Sequence, residues 1–538
     1  MIKLYWYITG YIRKHGLKFL LVIAVAAVVF SVVVPYLFRH FSHRQTVYIG
    51  LVGEYDLYHL PDDITKQLSR ALVRLDNTGI FDQKSLDLAD KIDIENNGRR
   101  YRFHLEEGLS WPDGTPFVAT DVNYRLREAQ VTYEGSEVIY DLPAVLASFP
   151  QLLTTPILHY HETKKYGFIN KTEVYGLKNT RLVDYKWLDR SHSALSQVTI
   201  DDLETRIRYI YRFYYTQDQA LEAFKLGKID FLYDVTNTEQ LKSWRTITVS
   251  DRPLTDQYLA VFFNTADPLL TRNVRQALSY AVEKERAGYD RAISPINPAS
   301  FAYFPGAKRY DKNIDSGVER LLDELPGAPI EINLVTTASF YDIASDIQKD
   351  WQQLGEAAVT ACQNSDKIED KAACEYLHIQ TNIQIQTIPD TNNFQALLIG
   401  QQIPFDPDQY NLWHSGLASN FTHYKNTRVD NLLEKGRQTL KTTERATLYQ
   451  EFQQNLLEDP PAIFLWYLKS SDLYRDDEVA VIDVRRSPAS EQSTEDHESN
   501  ATDSQTQAPK TDTDVDDSHR DSDINPDTPE KTSKAPHE

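Results

Sequence analysis

The chain has 538 residues with 57 basic and 78 acidic side chains, a formal charge of −21, and only two cysteines. That balance argues against a nucleic-acid backbone as partner, because phosphate recognition needs clustered Lys and Arg. A chain this long also exceeds one ordinary hydrophobic core, so two or more lobes are expected. At the N-terminus, Phe19 to Phe38 is a run of twenty residues without a charge. At about 1.5 Å rise per residue it spans roughly 30 Å, the hydrocarbon thickness of a bilayer. Lys3, Arg13, Lys14 and Lys18 precede the run and only Arg39 and Arg44 follow closely. The positive-inside pattern therefore predicts a cytoplasmic segment 1–18, a transmembrane signal anchor 19–38, and the remaining chain on the extracytoplasmic side of the cell membrane. A cleaved signal peptide is the rival reading, but SVVVPYLF offers no small-x-small site and no cysteine is present for lipid attachment.

Beyond the anchor, Val47 to Val52 reads as a first strand. Tyr101, Phe103 and Leu105 alternate with Arg102 and His104, the period of a half-buried strand. Pro112-Asp113-Gly114 then turns the chain, and Thr120 or Asp121 is placed to cap a helix with Val122 and Leu126 on one face. Thr216 with Gln219 fits a capping box, Ala220 and Phe224 share a helical face, and Gly227 ends that helix before a strand through Ile229, Phe231 and Tyr233. Tyr258 to Lys284 reads as a buried strand followed by a helix with Val274, Ala277, Leu278, Ala281 and Val282 at helical spacing. Ile330, Ile332 and Leu334 alternate, then Ile343, Ile347, Trp351 and Leu354 line a helix expected to stop at Gly355. Leu448, Phe452 and Leu456 form one apolar stripe, and Pro460 and Pro461 require that helix to end at Asp459. Helices flanked by strands at this spacing imply an α/β fold with βαβ packing. From Ser487 onward fourteen acidic residues face four basic ones with no aromatic at all, a composition that predicts a disordered acidic tail over 487–538.

Three segments together carry a family resemblance: YRFHLEEGLSWPDGTPFVATDVNYRL from Tyr101, YLAVFFNTADPLLTRNVRQALSYAVEK from Tyr258, and the stretch from Asp406 to Tyr467 that includes DPDQYNLWHSG. In this order they resemble the extracytoplasmic solute-binding proteins of the peptide/nickel (oligopeptide/dipeptide) ABC-transporter family, family 5, over about Thr46 to Asp483. The resemblance implies a two-lobed periplasmic-binding-protein-like fold, type II in its large three-domain variant. The solute-binding domain then covers 46–485. Lobe I takes about 46–60, 172–258 and 467–485, an extra domain about 61–171, and lobe II about 259–466, with the chain crossing between lobes near Tyr258 and Trp466. It implies a solute receptor that feeds the permease subunits of an importer, with peptide the leading ligand. It also places Trp413 and His414, after the Asp406-Pro407-Asp408 loop, and Glu54 and Tyr55, after the first strand, at the edges of the ligand cleft. A packed aromatic or a surface carboxylate is the plain alternative for each. Peptide-binding members carry an aspartate three residues before the acidic-Pro pair, where it meets the ligand's α-amino group. Here that position is Ile403, leaving Asp406, Asp408 or Glu54 as substitutes. A second class of function built on the same fold is a ligand-sensing or cell-surface interaction protein without transport.

Catalytic signatures are absent: there is no GxSxG, no GxxxxGK[ST], no HExxH and no CxxC, so no enzyme activity, cofactor or metal is predicted. His159 and His161 project to one side of a strand as the closest approach to a metal pair, without a further ligand in sight. Thirty-two tyrosines and seven tryptophans supply rigid side chains with polar tips, suited to ligand clefts as well as to cores. Cys362 and Cys374 lie in a stretch, Glu356 to Thr381, that reads as an insertion. In an oxidising compartment they are expected to form a disulfide that acts locally, the alternative being two unreactive thiols in a flexible loop.

Overall fold

The computed structural model describes residues 45–165, 169–236, 238 and 241–475. The expected anchor at 19–38 and the acidic tail from 487 lie outside the described residues. No helix among the described residues is long and apolar enough to cross a membrane.

The described residues begin with β1 (Thr46–Val52) and α1 (Asp62–Leu68); β2 (Ala89–Glu95), β3 (Arg100–Leu105), β4 (Gln130–Glu134) and β5 (Glu137–Asp141) then form an antiparallel sheet in the order β2-β3-β5-β4. The alternation in β3 is the cause of its placement: Tyr101, Phe103 and Leu105 are buried in the core of this module. Arg102 and His104 face outward onto acids of neighbouring strands, Arg102 on Glu95 at 3.2 Å and His104 on Asp93 at 2.8 Å. The hairpin β6 (His159–Lys165) and β7 (Ile169–Tyr175) follows.

The main sheet takes β8 (Thr180–Trp187), β9 (Leu195–Asp202), β10 (Arg208–Tyr214), β11 (Phe231–Val235), β12 (Ile247–Phe263), β13 (Ile330–Thr336), β14 (Ile379–Ile385), β15 (Ala396–Gln402) and β16 (Ala462–Arg475). With β1 these make ten strands in the order β14-β13-β15-β12-β16-β11-β1-β10-β9-β8. Two βαβ units account for most of its parallel parts, the remaining parallel pair being β13 with β15. In the first, α2 (Gln217–Lys225) is capped by Thr216, whose side chain accepts from Gln219 N, and joins β10 to β11, both parallel to the β1 between them. In the second, α5 (Tyr341–Asn364) connects β13 to its parallel neighbour β14.

Residues of α3 (Arg272–Ala281), α4 (Ile314–Asp323) and α5 share one core beneath β12 and β13, with fully buried Trp351 donating to Leu278 O at 3.2 Å. A second core holds α6 (Tyr410–Trp413), α7 (Thr427–Gln438) and α8 (Thr442–Glu458). The C-terminal end of α8 is held by α3, because Arg275 donates to Pro460 O at 2.6 Å and pairs with Asp459 at 2.6 Å while Gln276 donates to Glu458 O.

β12 and β16 pair with each other along most of their length. Beyond that pairing, β12 also bonds β15 through Gln257–Phe263 and β16 bonds β11 near Ser471–Tyr474. Their register breaks between Leu254 and Tyr258 and again between Leu259 and Ala260, where Leu259 lies opposite Trp466. Tyr258 and Trp466, the residues named for the expected crossings, lie beside these breaks.

Three expectations from the sequence are corrected. The helix expected after Thr120 is a single 3-10 turn, Ala119–Asp121. The Asp121 carboxylate is drawn back to Val118 N and to the Trp111 indole, and only eight residues separate it from β4, too few for a docked helix. The helix expected to stop at Gly355 continues to Asn364. A Cβ at Gly355 would come within 2.7 Å of Ile379 N and 2.9 Å of Leu377 O, so this glycine serves a close backbone approach and not a helix end. The supposed insertion is consequently part of the core. Cys362 lies in the last turn of α5, Cys374 in the 3-10 segment Lys371–Leu377, and the two are joined with Cα atoms 5.7 Å apart, both fully buried beside Leu354 and Leu377.

Candidate functional site

The residues singled out from the sequence fall in two places. The first is the loop that leads from β15 into α6. The Asp406 carboxylate is 3% exposed and takes a two-pronged hydrogen bond from Arg445, 2.5 Å and 2.7 Å, whose Nε donates to Gly436 O. Burial, the largest single influence, would lower the Arg445 pKa, but the hydrogen bond and charge of Asp406, with the nearby Tyr449 and Asp408, together raise it and hold the guanidinium charged. Asp408 accepts from Ser148 Oγ at 3.0 Å, Arg437 Nε at 2.8 Å and Tyr410 N at 3.1 Å. These bonds tie the β2–β5 module to the second core. Ala147 N donates to Arg437 O and Phe301 N to Thr78 O across the same contact, while Gly79, at φ +71°, lets the chain pass so close to Phe405 that a Cβ would lie 2.6 Å from its carbonyl oxygen. Asp408 is therefore occupied as a bracket between two parts of the fold, and Asp406 as a tie between its own loop and α8.

Trp413 has no exposed surface; its ring packs against Phe262, Tyr424 and Phe464, as the core reading allowed. His414 lies flat on Tyr410 with centroids 4.3 Å apart, Nε2 facing Glu434 at 3.1 Å and Nδ1 accepting from Gly416 N. Arg437 stands 4.2 Å from the Tyr410 ring centre. Tyr410, Glu434 and Arg437 form one wall of a cavity of about 630 Å³ whose other wall comes from Arg125–Ala129 and Leu142–Leu152. Ile403 is 2% exposed in the same apolar core as Tyr258 and Tyr424, its N–H donating to Asp256 O at 2.7 Å.

The second place is the C-terminal end of β1. Glu54 is exposed, and among the described residues it has no hydrogen-bond or ion-pair partner. Tyr55 packs on Phe213 at 5.1 Å and donates to Val52 O at 3.2 Å; burial and then Asp63 raise its pKa. Other aromatics gather here that sequence reasoning missed: Tyr58, 58% exposed, leans on Tyr160 at 4.9 Å, and Trp187 stacks on His192 at 5.1 Å. Leu195 N, opposite Trp187 in the β8–β9 pair, donates to Tyr55 O at 2.7 Å and so joins these groups. One signal could have found them: β1 and β10 are parallel and end together at Val52 and Tyr214, and open α/β sheets bind ligands beyond the carboxyl ends of their strands. The hairpin histidines are layered rings, His159 on Trp111 at 5.2 Å and His161 on Tyr175 at 6.3 Å. Among the described residues no group of three or more metal-ligating side chains could hold an ion.

No family model matches the chain. It is 22% identical to the oligopeptide-binding protein AppA of Bacillus subtilis over 78% of this chain and 85% of that protein. The structure of NikZ from Campylobacter jejuni, solved in complex with Ni(L-His), superposes with a TM-score of 0.59 at 21% identity, covering 81% of this chain and 95% of that one. Protein XP55 of Streptomyces lividans is 41% identical over 70% of this chain and 74% of its own length.

The chain belongs to the family 5 extracytoplasmic solute-binding proteins. Within that family, the Ile403 position is one where this member has placed a buried aliphatic side chain in a packed core, closing it to any charged partner. The two edges named from the resemblance are thus unequal in this member. The β1 edge keeps an exposed carboxylate beside exposed aromatics, while the Asp406–Asp408 edge has its charges satisfied internally.

Proposed function

We propose that this family 5 protein captures a small solute, with a peptide as the leading class, between the half of the main sheet that carries β1 and the half that carries β13–β15. The protein then delivers it to the permease subunits of an ABC importer. Its N-terminal segment 1–38 is proposed to hold it at the outer face of the cell membrane. Family membership is the observation that carries this reading. The neighbouring β12 and β16 support it, because two adjacent strands with broken register at the crossing suit a hinge between halves. The oligopeptide-binding relative AppA is the reason to place peptide first.

Glu54 is proposed as the carboxylate that meets the solute's amine, since Ile403 supplies none and Asp406 and Asp408 are already paired. Those same occupied carboxylates favour one second reading, a ligand-sensing or cell-surface protein whose cleft serves no importer. Mass spectrometry of ligand released from the purified full-length protein tests the first reading. A defined peptide or peptide-like solute, together with its loss of uptake in cells lacking the protein, is the expected result; a bound ligand with unimpaired uptake would select the second. Retention in the membrane fraction through alkaline carbonate washing, with Met1 or Ile2 at the N-terminus, is expected of the anchor.

A further inference from the structure

The cavity of about 630 Å³ beside α7 lies between the β2–β5 module and the second core, separate from the β1 edge assigned to the solute. Its volume falls within the few hundred to about 1,000 Å³ typical of small-ligand sites, and a seam between two packed units is where such sites concentrate. One wall, from Leu142 to Leu152, is almost wholly apolar, and Leu152 is left 49% exposed. This wall has no strand and so presents no free backbone edge that an extended peptide could pair with.

The rim opposite carries two arginines, Arg125 and Arg127, on a backbone that is fixed in place. The Tyr124 hydroxyl shares its one proton between Leu153 O at 2.9 Å and Thr155 O at 2.7 Å and accepts from Leu72 N. That anchors the non-helical stretch that follows, so Arg125 and Arg127 enter the cavity lining from a pinned backbone. Neither arginine has a hydrogen-bond or ion-pair partner among the described residues. By contrast, Arg70, Arg100 and Arg102 of the same module all sit on carboxylates. Two acids also line the cavity: Glu434, whose carboxylate lies 3.1 Å from His414 Nε2, and Glu128, next to Arg127. Of the three arginines in the lining Arg437 is held by Asp408, which leaves Arg125 and Arg127 as the unpaired cations facing the apolar wall.

From this combination we infer that the cavity binds a small amphiphile, an apolar chain or ring system bearing one carboxylate or phosphate. The apolar part lies along Leu142–Leu152 and the anion meets Arg125 and Arg127. Guanidinium groups suit either headgroup because their planar donors match both oxyanions.

The test is calorimetric titration of the full-length protein with laurate, dodecyl phosphate, dodecyltrimethylammonium and acetate. Saturable binding of laurate or dodecyl phosphate is expected, the tighter of the two naming the headgroup, with the cationic amphiphile and acetate at least tenfold weaker. Arg125→Ala with Arg127→Ala should weaken the anionic amphiphile about tenfold, and Leu152→Asp should weaken it further. All three side chains are solvent-exposed, so the melting temperature of each variant should stay that of the parent. Equal binding of dodecyltrimethylammonium and laurate would overturn the inference, as would a double arginine variant with unchanged affinity. Full competition of laurate by the solute bound at the β1 edge would overturn the separateness of the site.

Discussion

The pairing of Asp406 with Arg445 shows how one contact can serve architecture where family likeness points to ligand. Both side chains are buried, and removing one partner strands the other's charge in a low-dielectric environment, which costs about 3–5 kcal/mol. Arg445→Ala is therefore expected to lower the unfolding free energy from urea titration by that amount, and Asp406→Asn by less, because the amide still accepts from the guanidinium. At Glu54 the expectation runs the other way. Glu54→Gln should leave stability unchanged within about 0.5 kcal/mol, as for exposed sites away from special features, and should weaken a free-amine peptide while sparing its N-acetylated form. Equal loss for both forms would reject the amine contact.

Buried tyrosines set a pH limit. Burial pushes the Tyr101 and Tyr160 hydroxyls up to about 12 and raises Tyr258 well above its ordinary value. The folded state then keeps protons that the unfolded chain gives up near pH 10, so stability is full below about pH 10 and declines as pH rises toward about 12. A melting temperature measured from pH 8 to 11.5 should hold and then fall, with part of the tyrosinate absorbance appearing only on unfolding. The position of these residues was legible, since Tyr101 and Tyr258 stand in alternating or buried strands. The role of Asp406 was not, because its partner lies thirty-nine residues on, in a helix whose apolar stripe says nothing about Arg445.

Among the elements, α5 separates what periodicity can reveal from what it cannot. Ile347, Trp351 and Leu354 announce a helix, and the same face continues through Ala358, Val359 and Cys362. Gly355 read as a stop because sequence cannot see that Ile379 and Leu377 press on it from outside the helix. Gly355→Ala would raise intrinsic helix propensity by about 1 kcal/mol, yet the new methyl meets backbone at 2.7 Å and 2.9 Å. The net expectation is destabilisation by about 1–3 kcal/mol in chemical denaturation. The cysteines follow the same logic. Closing a loop of about 13 residues removes roughly 3 kcal/mol of denatured-state entropy. Because both half-cystines sit in the core with Leu354, Cys362→Ala with Cys374→Ala should shift the global transition and not merely loosen a surface loop. Calorimetry and limited proteolysis of native protein distinguish the two: early nicking confined to 365–371 would favour local action. The helix missing after Asp121 has the opposite origin, an isolated pair of apolar residues at helical spacing that tertiary contacts bind individually.

For the whole molecule, the alternation of helix and strand made the α/β class legible, and the ordered likeness of three distant segments made the family legible. The order of ten strands in one sheet was not, since it depends on which edges meet and not on the content of any strand. The short β12 segment Thr255–Gln257 has no partner on β16, which makes it the place where a bend between the halves would break no β12–β16 bond. Small-angle scattering at saturating solute should show a smaller radius of gyration, and an unchanged value would count against closure.

That sheet also has an order in time. β16 alone joins β12 to β11; without it the ten strands separate into β14-β13-β15-β12 and β11-β1-β10-β9-β8. Yet β16 is the final described strand, so a ribosome has made every other piece before the seam can form. Until then β11 and β12 each present a bare edge, the kind that invites pairing with another molecule. The interval between the synthesis of Phe263 and that of Arg475 is therefore the period in which this protein most needs protection from its own copies.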